Sequence, residues 1–280
     1  MRITVDDVQV LGRREPMLEI DHLEVSTGEC VLVAGDPWQG HTALALVATG
    51  RLAPFTGTVV LVEDDGTTST EPARLREVSA VVDLPGITEP DDPVPVGTVV
   101  AEGLAFAHRP ASHRAATEWL GRRAMRPQES ERMDAVHGAV RTELLASLAT
   151  ERPDVRFLVL TLPDRHGGAP ASWWSLAQEL ASRGYGVLVQ CTPSAARDLG
   201  ASVPVPEGEG SRRAAPVEAI RLTPPTAPAP ATAPAPPARA ESEVELTDPT
   251  RLFDGAHAAP APRGRRRRRR ATDSPKEADR

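Results

Sequence analysis

The chain has 280 residues, 40% hydrophobic but only 3% aromatic, enough for one or two domains with a core of Val, Leu and Ala. The formal net charge of −7 divides unevenly: residues 1–203 carry a net −10 and residues 204–280 a net +3. An acidic body argues against a nucleic-acid-binding surface, and without an amino-terminal apolar leader or an apolar run near ~20 residues neither export nor a membrane span is expected.

"RITVDDVQV" (2–10) and "MLEIDHLEV" (17–25) alternate apolar and polar residues and predict antiparallel edge strands. "ECVLVAG" (29–35) predicts a buried strand that runs into "GDPWQGHTAL" (35–44). That stretch nearly spells the phosphate-binding pattern G-x-x-x-x-G-K-[ST]. Gly35, Gly40 and Thr42 stand in place, and His41 holds the lysine position. Such a loop needs glycines so that backbone N–H groups can curl around phosphates, and a helix N-terminus for partial positive charge. The candidate nucleotide contacts are therefore Gly35, Gly40, His41, Thr42 and Ala43, with the Thr42 hydroxyl the one group for Mg²⁺. The only lysine is Lys276, so none in the folded part replaces His41.

"HTALALVATGRL" (41–52) predicts a helix stopped at Gly50. "TGTVVLVEDDGTT" (56–68) and "VSAVVD" (78–83) predict strands, and residues 98–150 a mainly helical region. "FLVLTLP" (157–163) and "GVLVQCTP" (186–193) are continuous apolar runs, as in a parallel sheet covered on both faces. The helix "APASWWSLAQELASRG" (169–184) crosses between them. A boundary falls near Pro204: 14 of the 28 prolines follow it, with an acidic stretch and the block Arg265–Arg270. That composition predicts a disordered tail over 204–280. Cys30 and Cys191 lie in apolar runs and read as buried thiols. The histidines show no metal-ligand spacing.

The order of pieces in "GECVLVAGDPWQGHTALALVATGRLAPFTGTVVL" (28–61) resembles the opening of ATP-binding-cassette (ABC) nucleotide-binding domains. The segment "ERPDVRFLVLTLPDRHGGAPASWWSLAQELASRGYGVLVQCTP" (151–193) is similar to the same family's stretch from its second acidic strand to its switch histidine. The resemblance covers residues 1–203. It implies an α/β, P-loop NTPase-like core with a mainly parallel sheet, antiparallel edge strands and a helical subdomain over 98–150.

The same resemblance shows what has changed. The family's metal-holding Asp and general-base Glu fall on Thr161 and Leu162, its sensing Gln on Asp83 and its switch histidine on Thr192. Asp164 lies two residues past the general-base position. The signature "LSGGQ" falls near "DAVHGAVR" (134–141), which has one glycine and no serine. Phosphoryl transfer depends on positioning and charge stabilisation by those parts. The resemblance thus implies a degenerate cassette: at most weak binding of ATP and Mg²⁺, no hydrolysis, and a role as accessory, scaffold or nucleotide-sensing subunit. Its implied partners are a membrane permease subunit or a second cassette subunit, at the cytoplasmic face of the membrane. Two rival expectations are a weak ATPase that energises a transporter, and an interaction module whose Arg-rich tail contacts anionic lipid.

Overall fold

The structure, a computed structural model, describes residues 1–13, 16–202 and 217–221. The chain divides into a unit of residues 1–230 and a second of residues 231–280. The Arg265–Arg270 block and its expected lipid contact lie outside the described residues.

Two sheets sandwich one helix. The first is antiparallel, with order β2-β1-β4-β5: β1 (Arg2–Leu11), β2 (Pro16–Ser26), β4 (Thr56–Val62) and β5 (Thr68–Ser69). Alternation along β1 and β2, shifted by one residue at Asp7 and Asp21, turns Ile3, Val5, Val8, Leu18, Ile20, Leu23 and Val25 to one buried face. The second is parallel, with order β6-β7-β8-β3-β10-β9. It comprises β3 (Cys30–Ala34), β6 (Ser79–Val82), β7 (Phe157–Thr161), β8 (Gly186–Cys191), β9 (Ala201–Ser202) and β10 (Val217–Arg221).

The central parallel strands are largely apolar because both faces are covered, with Ser79, Thr161 and Gln190 the polar exceptions in β6, β7 and β8. Val33, Val81, Val159 and Leu188 face α1 (His41–Ala48) and the antiparallel sheet. Leu32, Val82, Leu158, Leu160 and Val189 face the opposite layer of helices. There lie α3 (Val96–Phe106), α4 (His113–Arg122), α5 (Gly138–Ala149), α6 (Pro170–Ser182) and α7 (Pro193–Asp198); α2 (Pro72–Val78) leads into β6. Among the described residues no helix is long and apolar enough to cross a membrane.

The expected helical region resolves into α3, α4 and α5, with two short 3-10 turns between α4 and α5. Gly50, at φ +66°, ends α1 as expected, and a Cβ there would lie 2.6 Å from the Pro72 carbonyl oxygen. The expected boundary at Pro204 needs one correction. Residues 217–221 form β10, paired in parallel with β3 (Ala219↔Leu32, Arg221↔Ala34) and with β9. The open edge of β3 supplies the hydrogen-bond partners, which composition alone does not reveal.

Candidate functional site

Apart from the signature stretch 134–141, the singled-out positions lie at the carboxyl ends of the parallel strands, the rim where open α/β sheets bind ligands. Gly35, Gly40, His41, Thr42 and Ala43 follow β3; Asp83 follows β6; Thr161, Leu162 and Asp164 end and follow β7; Thr192 follows β8.

The loop after β3 is held by its own atoms. Gly35 donates its N–H to the Cys191 carbonyl (3.0 Å), extending the β3–β8 ladder. The Gln39 N–H donates to the Asp36 carbonyl (3.1 Å), and the Asp36 N–H to Gln39 Oε1 (2.8 Å). Gly40 has φ +88°, and a Cβ there would meet the Met17 carbonyl oxygen at 2.5 Å, so only glycine lets β2 approach. Past it, the N–H groups of His41, Thr42 and Ala43 open the first turn of α1, where a helix has no internal acceptor for them. Thr42 is half-buried and Ala43 buried.

His41 does not face solvent: it is 5% exposed. Its ring turns back into the loop, and Nε2 lies 2.9 Å from the Gly35 carbonyl oxygen. A carbonyl only accepts, so Nε2 carries the proton and Nδ1 is left as an acceptor, buried without a partner. Burial lowers the His41 pKa, against the raising pull of the Gly35 carbonyl and of Asp164 and Asp36. The imidazole therefore stands neutral where the loop pattern has a cation. The Gln190 amide fixes the same corner by donating to the His41 carbonyl (2.9 Å).

The positions around the loop are committed to one another. Asp83 is buried and bound by the Arg141 fork, Nε to Oδ2 at 3.0 Å and Nη2 to Oδ1 at 2.9 Å. Arg165 Nη2 stands 3.2 Å from Asp83 Oδ1 and donates to Glu89 Oε1 at 2.9 Å. His166 Nε2 lies 2.9 Å from Asp83 Oδ2 but off the line of a hydrogen bond. Burial alone would raise the Asp83 pKa; His166, Arg141 and Arg165 overcome it and hold the carboxyl at about 2. Asp83, Glu89 and His166 come close enough to share a metal ion, yet two guanidiniums already occupy the carboxylates. Asp164 Oδ2 accepts from the Thr192 hydroxyl (2.6 Å) and N–H (3.0 Å). Thus two expected motif positions do meet, but as a structural pair, with Asp164 Oδ1 buried and unpartnered.

Thr161 is buried with an unpartnered hydroxyl, and Leu162 donates only its N–H, to the Gln190 carbonyl (2.9 Å). Leu162 (φ +46°), Asp83 (φ +58°) and Trp38 (φ +75°) are three of the six non-glycine residues with positive φ among the described residues, so backbone strain gathers at this rim. Trp38, inside the loop, is 98% exposed and points its indole away from the loop interior. A hydrated magnesium ion needs carboxylate oxygens. On the resemblance, Thr161 falls where the family holds its metal and offers only a hydroxyl, and the ionised Asp83 carboxylate is already taken by Arg141 and Arg165, so these two residues do not fit that ion. The free first-turn N–H groups of α1 do fit an anionic oxygen.

In the expected signature region, Gly138 opens α5, and a Cβ on it would lie 2.6 Å from the carbonyl oxygens of both His166 and Gly167. The turn after β7 therefore covers the α5 N-terminus within this chain. Sequence reasoning missed Arg141, Gln190 and Gln39. A polar residue next to the end of an otherwise apolar strand was the available signal for Gln190. Cys191 is buried and Cys30 half-buried, both free, with burial pushing their thiols up to about 12 and about 11.

No family model and no curated protein matches the chain. Solved structures do. A nucleotide-free ATP-binding cassette from an ABC transporter aligns with a TM-score of 0.53 and 16% identity over 71% of this chain and 85% of its own. An ADP conformation of another such cassette gives 0.51 and 17% over 69% and 82%. A dimeric bacterial ABC transporter cassette gives 0.52 and 16% over 70% and 90%. At these identities the likeness is one of fold: this chain has the architecture of an ATP-binding cassette.

Proposed function

We propose that this chain is a cassette-fold subunit without ATP turnover of its own, which serves a transport assembly as a nucleotide-sensing accessory or scaffold. The observation that carries the reading is the neutral His41 ring folded onto the Gly35 carbonyl inside the loop. The surroundings agree with it. Leu162 has no group to take a proton from water, Thr161 stands where a metal would need a carboxylate, and Asp83 belongs to Arg141. A lost lysine–phosphate contact removes about 1.5–3 kcal/mol, which weakens affinity about 10–150-fold. The first-turn N–H groups and Thr42 remain to hold a phosphate weakly. Cassettes of the same fold come from ABC transporters and one of them is dimeric; on that likeness the partner is a permease or second cassette subunit at the cytoplasmic face of a membrane.

The test is calorimetric titration of the full chain with Mg·ATP, beside His41→Lys, with phosphate release followed in parallel. The expected result is weak, saturable binding, tightened about tenfold or more by His41→Lys, and no phosphate release from either. Steady release abolished by Asp164→Asn would replace this reading with that of a slow ATPase. Absence of binding in both forms would leave the loop as architecture and end the sensing role.

A further inference from the structure

We propose that a second cleft, between the ends of α3, α4 and α5, binds a small anion through a phosphoryl group, independently of the loop. The chain around it is a basic island on an acidic body. Residues 107–127 hold five arginines and one glutamate. The cleft is open to solvent, spans about 410 Å³ and is lined by Arg109, Arg122, Arg123, Glu118, Glu151 and Trp119 among others. That volume is within the roughly 300–1,000 Å³ of small-molecule sites.

The carboxylates present do not offset the guanidiniums. Glu151 Oε1 accepts from both Trp119 Nε1 (2.7 Å) and Arg123 Nη2 (2.8 Å), and its Oε2 stands 3.8 Å from Arg109 Nε. Glu118 is drawn to Arg114 at 2.8 Å. Among the described residues no carboxylate comes within ion-pair distance of Arg122, and Arg109 has only its loose approach to Glu151. Burial lowers the Arg123 pKa, with repulsion from Arg122 and Arg183 acting against the pull of Glu151.

The site is also pre-organised. The Arg123 guanidinium lies 3.8 Å over the buried Trp119 ring, which fixes its plane, while Glu151 fixes its edge. A carboxylate is satisfied by one guanidinium fork. Two loosely held guanidiniums, Arg109 and Arg122, from two helix ends beside the fixed charge of Arg123 suit a group with several charged oxygens, which a phosphoryl supplies. The α5 helix separates the two sites. Its Gly138 end abuts the turn after β7, and Glu151 lies past its other end, a helix length of about 18 Å away.

The experiment is calorimetric titration of the full chain with pyrophosphate, without Mg²⁺. The expected result is saturable binding, weakened tenfold or more in the Arg109→Gln/Arg122→Gln double variant, with circular dichroism and melting unchanged. Arg126→Gln, on the same island but not lining the cleft, should bind as the wild type does. Absence of saturable heat at millimolar pyrophosphate overturns the proposal. So does full binding by the double variant, which places the anion elsewhere, the loop included. An equal loss in Arg126→Gln would mean diffuse attraction, and acetate binding as tightly as pyrophosphate would remove the phosphoryl preference.

Discussion

At the scale of single residues, His41 and Asp83 respond to acid for opposite reasons. The folded state holds His41 neutral with its pKa below the ordinary 6.5. The unfolded chain therefore binds the extra proton first, and stability is lost as pH falls from about 6.5 through the folded value. Asp83 is held at about 2. Its contribution, about 2 kcal/mol, is complete above the ordinary carboxyl value and lost only as pH falls toward 2. Between pH 7 and 5 His41 alone of the two changes. We expect the urea midpoint of His41→Gln, which keeps a donor for the Gly35 carbonyl but cannot titrate, to fall less over that interval than that of the wild type. Identical slopes would show that the imidazole is not held neutral. The missing lysine is legible in "GDPWQGHTAL"; the inward turn of the ring is not. It depends on a carbonyl six residues back and on Gln190, 149 residues ahead.

Among the elements, α5 is the one whose placement rests on polar contacts buried against the sheet. Arg141 donates to Asp83 across the layer and to the Met133 carbonyl (3.0 Å) in the turn before the helix. Removing one partner of a buried ion pair costs about 3–5 kcal/mol when the other is left wholly unpaired; Asp83 would keep Arg165 at 3.2 Å and His166 at 2.9 Å, so the loss is that of the charged hydrogen bonds, about 1.5–3 kcal/mol. Arg141→Met should therefore destabilise by that order in denaturant titration. Asp83→Leu combined with Arg141→Met should recover part of the loss, because no charge is left unpaired; strictly additive losses would mean the pair is not the clamp. Periodicity made β1, β2, β3, β7, β8, α1 and α6 legible, since each shows a full face or a full apolar run. It did not reveal α2, α7, β5, β9 or β10, which are two to seven residues long and owe their form to neighbours. The motif positions were legible as places on a rim. Their pairing, Asp164 with Thr192 and Asp83 with Arg141, follows only from how the strand ends are brought side by side.

For the whole molecule, the relevant length of the folded part is set by β10 rather than by composition. Cutting after residue 203 removes a strand that lies between β3 and β9, with Ala219 buried against the sheet. The cut bares the edge of β3, the strand that launches the loop, and an unpaired central edge invites association. We expect the fragment 1–203 to melt below 1–230 and to self-associate at concentrations where 1–230 stays monodisperse, as read by thermal denaturation and light scattering. Equal melting and equal size would show that β10 contributes nothing to the sheet.

The exposed indole on the loop makes the protein its own optical probe. Of its four tryptophans, Trp119 and Trp173 are buried and Trp174 is half-buried, while Trp38 stands almost wholly in water at the lip of the loop. Iodide or acrylamide in solution therefore quenches Trp38 first, and the collisional part of the emission belongs to one site. A ligand that covers the lip of the loop should shield that indole, so loss of quenching on adding nucleotide would report occupancy in the unmodified chain.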